Sequence, residues 1–299
     1  MSEGSTDLSL VSFVRVQDCD STALRQAIKK SLDLVNFTFD RKAEKIVIKP
    51  NMCYYYHPST GEVTDPQFVS ALIDVFRENF AKTSEIFVVE SDACAMKCKH
   101  VFRMLGYDKM AEKKGVKLIN LTEEKSRIIN ANIGRSQFSF NIPKLFYDAD
   151  LVVNVPKPKY MTPAKITCAL KNFYGCNAYP KKSVYHKVLD EAIAFVNKQI
   201  KTNLVVVDGL VANGAYSKRL NLVLSSENPV AADAAVSKLM GINPRFVKQI
   251  ALASREGVGN SDFCPVGDFS YFKKTFPKKR LKDNLRDGAV SVFLRVFPG

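Results

Sequence analysis

Four short apolar runs that end alike restrict this chain more than any other feature. "KIVIKPN", "EIFVVESD", "LVVNVPK" and "NLVVVDG" each hold three or more consecutive apolar residues, and each stops on charged or amide side chains. Runs of that length without polar alternation suit strands buried on both faces, as in a parallel sheet. Helical patterns lie between them. Leu24, Ala27, Ile28, Leu32 and Val35 share one face of the first, from Ser21 to about Val35. Asp65-Pro66 opens a second, whose stripe is Phe68, Val69, Leu72, Ile73, Phe76 and Phe80. Asn228-Pro229 and Asn243-Pro244 open two more, stopped by Gly241 and Gly257. This alternation predicts an α/β fold, a mostly parallel sheet with helices on both faces. Residues at about 117–150, with "VKLINLT" and "RIINANIG", break the rhythm and predict a smaller inserted lobe. Residues 1–259 then form one large α/β domain, with 260–299 a basic segment packed on it.

Charge narrows the partners. Forty-four Lys and Arg face 30 Asp and Glu, a net charge of +14. Such an excess suits a polyanionic partner: a phosphate-bearing small molecule, nucleic acid or a membrane surface. No apolar run approaches the roughly 18 residues of a membrane span. The opening "MSEGSTDLSL" has neither the basic nor the apolar region of a signal peptide. Seven cysteines without regular spacing read as reduced thiols, and the expected compartment is the cytoplasm.

In an open α/β sheet, ligands sit beyond the carboxyl ends of the strands. If the four runs are parallel neighbours, Lys49, Asn51, Glu90, Asp92, Lys157, Lys159 and Asp208 crowd one rim. The stretch "KITCALKNFYGC" adds to it. Read as helix from Thr167 to Asn172, it sets Thr167 and Lys171 four apart on one face, while Asn172 and Gly175 let the backbone turn closely around a ligand. Lys49 and Asn51 would orient an anionic ligand, and Lys157, Lys159 and Lys171 would neutralise it. Glu90 and Asp208 would accept protons or hold a metal, and His186, after the basic block "YPKKSVYHK", would act as acid or base. Lys171 is the central candidate. No reaction type follows.

Two other function classes stay open. Cys53, Cys94 and Cys98 with Cys168 or Cys176 could surround zinc or an iron–sulfur cluster. A nucleic-acid module could work through the basic, aromatic tail "YFKKTFPKKRLKDNLRDGAVSVFLRVFPG", although packing of that tail on the domain is the plainer reading. Asp233, one turn into an apolar helix, is either favoured there by the helix dipole or partnered for a purpose.

Four blocks occur in order: "IVIKPN", "ADLVVNVPKPK", "ITCALKNFYG" and "NPVAADAAVSKLMGINP". Together they resemble the family catalogued as domain of unknown function 362, over about residues 45–259. Because some members carry ferredoxin-like modules, the resemblance implies cofactor or redox metabolism, with a redox partner. The chain departs from the family pattern in three places. It has no C-x₂-C-x₂-C-x₃-C run, no His after its second lysine pair ("KPKYMT"), and Asp65 where relatives often carry His.

Overall fold

The computed structural model describes residues 8–18, 20–38, 43–79, 84–162 and 164–279. The first half of the chain supplies β1 (Ser9–Arg15), α1 (Ser21–Leu34), β2 (Lys45–Pro50), α2 (Pro66–Asn79), β3 (Glu85–Glu90), α3 (Cys98–Met104), α4 (Tyr107–Lys114) and β4 (Lys117–Asn120). A hairpin follows, β5 (Ser126–Ile133) and β6 (Ser136–Pro143), then β7 (Leu151–Val155), β8 (Lys159–Met161) and β9 (Lys165–Thr167). The remainder is α5 (Ala169–Tyr174), α6 (Leu189–Gln199), β10 (Leu204–Asn213), β11 (Ser217–Ser226), α7 (Pro229–Leu239), α8 (Lys248–Arg255), β12 (Phe263–Gly267) and α9 (Phe269–Thr275).

The main sheet runs β12-β1-β11-β10-β7-β2-β3-β4. From β10 to β4 every neighbour is parallel, and β11 alone in this path runs antiparallel to both of its neighbours. The parallel sheet expected from the apolar runs is present. The chain leaves β2 outward through β3 and β4, then returns to the opposite side of β2 as β7. The strand order therefore reverses between β2 and β7, and at such a reversal the connections diverge and leave a crevice at the carboxyl ends. Lys49 pairs with Asn154 and Pro50 with Val155 at that edge.

Alternation along the strands divides the apolar residues into two cores. Ile46, Ile48, Val88, Val153 and Val206 pack with Leu24, Ile28, Phe68, Leu72 and Val101, under α1 to α4. Val47, Val89, Val152, Val205 and Val207 pack with Phe173, Ile193, Val196, Val236 and Ile250, under α5 to α8. Helices do cover both faces.

The middle of the chain is simpler than a lobe. β4 belongs to the main sheet, and only the β5–β6 hairpin stands apart from it. Phe140 and Ile142 seat that hairpin in the second core, with Phe140 stacked 4.8 Å from Tyr185. The helix expected from Asn243-Pro244 is broken. Pro244–Phe246 form one 3-10 turn and α8 begins at Lys248. β12 joins the sheet beside β1 and α9 follows it, while the tail from Arg280 onward and Phe80 lie outside the described residues.

The loop between β2 and α2 turns at Gly61, whose φ is +74°. A Cβ there would stand 3.0 Å from the carbonyl carbon of Ala212 and from the amide nitrogen of Asn213. Both the backbone conformation and the contact favour glycine. Gly61→Ala should cost about 1–3 kcal/mol, read as a lower denaturation midpoint at unchanged slope.

Candidate functional site

A six-residue helix has little stability of its own, because nucleation costs more than so few turns return. α5 is held instead by side chains from other elements. Asp233 on α7 accepts from the amide of Ala169 at 2.6 Å and from that of Leu170 at 3.3 Å. Asn154 Nδ2 donates to the carbonyl of Ala169 at 2.9 Å, and Asn197 Nδ2 to that of Leu170 at 2.8 Å. The carboxyl group of Asp233 is fully buried, and that burial raises it to about 7 against the opposing pull of the two amides. Asp233 thus anchors the helix that carries Lys171 and Asn172.

Asn172 is the hub of the crevice. Its Nδ2 donates to the carbonyl of Lys49 at 3.0 Å and to Asn154 Oδ1 at 2.8 Å. Its Oδ1 accepts from Asn51 Nδ2 at 3.1 Å and from Lys49 Nζ at 3.3 Å. Four bonds complete the capacity of an amide. Lys49, 1% exposed, also donates to Glu90 Oε2 at 2.7 Å and to the carbonyl of Pro50 at 2.6 Å. Glu90 further accepts from the amides of Met52 and Ser91. Gly175 closes the turn here, its amide donating to the carbonyl of Asn172 at 3.0 Å, and a Cβ on it would stand 2.9 Å from that oxygen.

Two more lysine sites continue the rim. Lys157 Nζ stands 3.1 Å from Asp208 Oδ1, both fully buried, and burial lowers the lysine's pKa against the pull of Asp208. The other oxygen of Asp208 accepts from the amide of Asp65 at 2.9 Å, which links the pair to the start of α2. Asp65 Oδ1 caps that helix through the amide of Gln67, as its position before Pro66 predicts, and burial raises its pKa. Lys159 Nζ donates to the carbonyl of Glu62 at 2.7 Å, to Glu62 Oε2 at 3.0 Å and to Cys53 Sγ at 3.0 Å.

Donor capacity sorts these lysines. An ammonium has three N–H groups. Lys49 and Lys159 each direct all three at acceptors within the protein, so their part is to organise the rim and supply charge. Lys171 differs. Among the described residues no hydrogen bond or ion pair reaches its ammonium, although it is half-buried. Burial, then the neighbouring charge of Lys159, bring it down to about 8, against the opposing influence of Cys53 and Glu62.

Other expected members lie elsewhere. Thr167 ends β9 instead of entering the helix, and its hydroxyl faces Met161 Sδ at 3.8 Å. The expected four-residue spacing of Thr167 and Lys171 on one helical face is therefore absent. His186 is exposed on the 3-10 segment Lys182–Val188 and no hydrogen bond joins it to the rim among the described residues. Asp92 accepts from the amide of Cys98 at 2.9 Å and from Lys97 Nζ at 2.8 Å, which makes it a brace for α3.

The cysteines do not assemble. Cys98 lies in the core beneath α1 to α4, whereas Cys168 and Cys176 lie in the opposite core. Cys53 faces Lys159, and exposed Cys94 faces the carbonyl of Pro180 at 3.6 Å. Burial pushes the thiols of Cys98 and Cys168 far up and that of Cys176 to about 12, which keeps them protonated. Among the described residues no three His, Cys, Asp or Glu side chains come close enough to hold a metal ion. Five thiols so placed do not fit zinc or an iron–sulfur cluster.

Several site residues escape a sequence reading. Asn154, the Asn of "VNVPK", was legible as part of that block yet not as a partner of Asn172. Thr64 accepts from the amide of Asn51 at 2.9 Å and donates to the carbonyl of Val155 at 2.8 Å, a link between strand ends that spacing does not reveal. Glu62 sits in an ordinary polar loop, and Lys182 opens the 3-10 segment Lys182–Val188. Lys182 Nζ reaches Ser91 Oγ at 2.8 Å and the carbonyl of Asp92 at 2.6 Å, beside Glu90.

Fold and rim together define an open-sheet α/β protein that gathers several lysines at the carboxyl ends of its strands, beside the topological switch point. The chain belongs to the family described as Domain of unknown function (DUF362), whose model matches residues 46–238. It is also similar to the thylakoid-associated protein sll1697 of Synechocystis sp., at 22% identity over 92% of this chain and 86% of that protein. Among solved structures it is similar to the lactate racemase apoprotein from Thermoanaerobacterium thermosaccharolyticum, with a TM-score of 0.43 and 12% identity over 78% of this chain. The match spans 57% of that racemase chain. No described helix is long and apolar enough to cross a membrane.

Two outcomes follow from this geometry. Asn172→Ala strips partners from Lys49, Asn51 and Asn154 at once and should cost about 3–5 kcal/mol in a denaturant melt. Asp233 gives a pH signature. Its folded pKa is raised, so between about pH 4 and pH 7 the unfolded chain has lost a proton that the native state keeps. Wild-type stability should therefore fall as pH rises through that window and level off above it. Relative to Asp233→Asn the loss should be about 4 kcal/mol, measured as paired melts from pH 4 to pH 8.

Proposed function

We propose that the crevice between the carboxyl ends of β2, β7 and β10 binds a phosphate- or carboxylate-bearing small molecule, and that the protein acts on it in cofactor or redox metabolism. Lys171 carries this reading: a half-buried ammonium with no partner among the described residues, beside a second ammonium. An unpaired cation withdrawn from water is costly to maintain, and an anionic ligand removes that cost. Lys157, paired with Asp208 and also drawn by the charge of Asp65, adds a second positive group. Asn51 Oδ1 is buried without a hydrogen-bond partner, so the ligand that completes the site also offers a donor such as a hydroxyl.

The rim residues then take distinct parts. Lys171 and Lys157 meet the anion. Asn172, Lys49 and Glu90 keep the strand ends in register around it, and Lys159 contributes charge from a fixed position. Glu90 and Asp208 are each neutralised by a lysine, so as proton acceptors they act only when the ligand draws that lysine away.

Thermal unfolding with inorganic phosphate, short carboxylates and 2-oxo acids tests the reading. One ligand class should stabilise the protein, by about 2.7 kcal/mol at a hundred times its dissociation constant. Lys171→Met should abolish the shift, and Lys171→Arg should retain part of it. If no anion stabilises the wild type, the reading fails. Stabilisation by long polyanions alone, steeply salt-dependent and indifferent to Lys171, would point to nucleic acid.

A further inference from the structure

Of the lysines at the strand ends, three are neutralised by a carboxylate, and Lys182 is held by Ser91 and the carbonyl of Asp92. Lys49 faces Glu90 at 2.7 Å, Lys157 faces Asp208 at 3.1 Å and Lys159 faces Glu62 at 3.0 Å. A fold that needed only positive charge for an anion would gain most from leaving several of them unpaired. Instead one amine is singled out. Lys171 lies in the last turn of α5, the residue before the hub Asn172, and its backbone is held by Asp233 and Asn197 through the two residues preceding it. The result is a well-positioned amine with no acceptor among the described residues, next to an ammonium held in place, since Lys159 is tied at three points.

We infer that Lys171 is a nucleophile, forming an imine with the carbonyl carbon of a small anionic oxo compound, an oxo carboxylate or oxo phosphate, held in this crevice. The inference rests on the proposed anion site and deepens it. The neutral Nζ adds to the carbonyl carbon. Its two protons leave with the carbonyl oxygen as water, and a carbon–nitrogen double bond replaces the carbon–oxygen one. No oxidant or reductant enters. Lys171 meets the anionic compound as an ammonium, beside the fixed charge of Lys159, and reacts once that ammonium has given up its proton. Burial and the adjacent ammonium favour that neutral form near pH 8, the two influences that activate lysines for imine chemistry generally.

The test uses the full chain with pyruvate, glyoxylate or glycolaldehyde phosphate, each with sodium cyanoborohydride, followed by peptide mass spectrometry. The expected result is a reduced adduct on Lys171 at least about tenfold above that on exposed lysines such as Lys99. It should saturate with oxo compound and rise with pH to a plateau above pH 8. Lys171→Arg should lose the adduct while keeping an anion-induced thermal shift. Labelling spread over surface lysines without preference for Lys171 would overturn the imine; if Lys171→Met still loses the anion shift, the binding site itself stands. Neither adduct nor shift in the wild type would overturn both. The wild-type labelling pattern decides the question by itself, even where a variant folds poorly.

Discussion

The rim depends on one buried amide. Asn172 joins the end of β2, through the carbonyl of Lys49 and the side chain of Asn51, to β7 through Asn154. It also presents its oxygen to the ammonium of Lys49, which in turn pairs with Glu90 at the end of β3. Three parallel strand ends are thus bound to a helix too short to persist alone. Burying the Lys49–Glu90 pair is expensive in isolation, because neither ion keeps its hydration. The surrounding acceptors and amides, the carbonyl of Pro50 and the amides of Met52 and Ser91 among them, offset that cost by replacing water at fixed positions. Such a network gives geometry more than stability.

The same logic explains why so many lysines are carried inward. Lys49, Lys157 and Lys159 are each about 1% exposed and each has a carboxylate. Their charges are largely balanced locally, so the crevice is not a uniform positive well. Lys171 stands outside this balance. Its unusual state is a product of neighbours that are themselves saturated: a fixed Lys159 cannot swing away to relieve repulsion, and the apolar packing of Leu170 and Phe173 around α5 limits the approach of water.

Much of this was legible in advance. The apolar runs, unbroken by polar alternation, required burial on both faces, and the two cores meet that need. The polar residues closing those runs suggested a wet edge, but Lys49, Asn51, Glu90, Lys157, Lys159 and Asp208 are buried there, the lysines facing carboxylates instead of water. Less was legible at Thr167, where a strand end and a turn displaced the expected helix, and at Asn243-Pro244, where one helix became a 3-10 turn and a shorter helix. Local propensity sets where an element can begin, but tertiary contacts decide whether it continues.

What the sequence by itself determined, then, is the α/β architecture, the family blocks and the residue types that reach the strand ends, because burial period and chain punctuation are local properties. Only the tertiary structure decided the division of labour among them. That Lys49 and Lys159 are saturated while Lys171 has no partner among the described residues, that Asp233 braces α5, and that Cys98 lies in one core and Cys168 and Cys176 in the other all depend on strand order and on which face each side chain meets. Those are properties of distance in space, and spacing along the chain does not encode them.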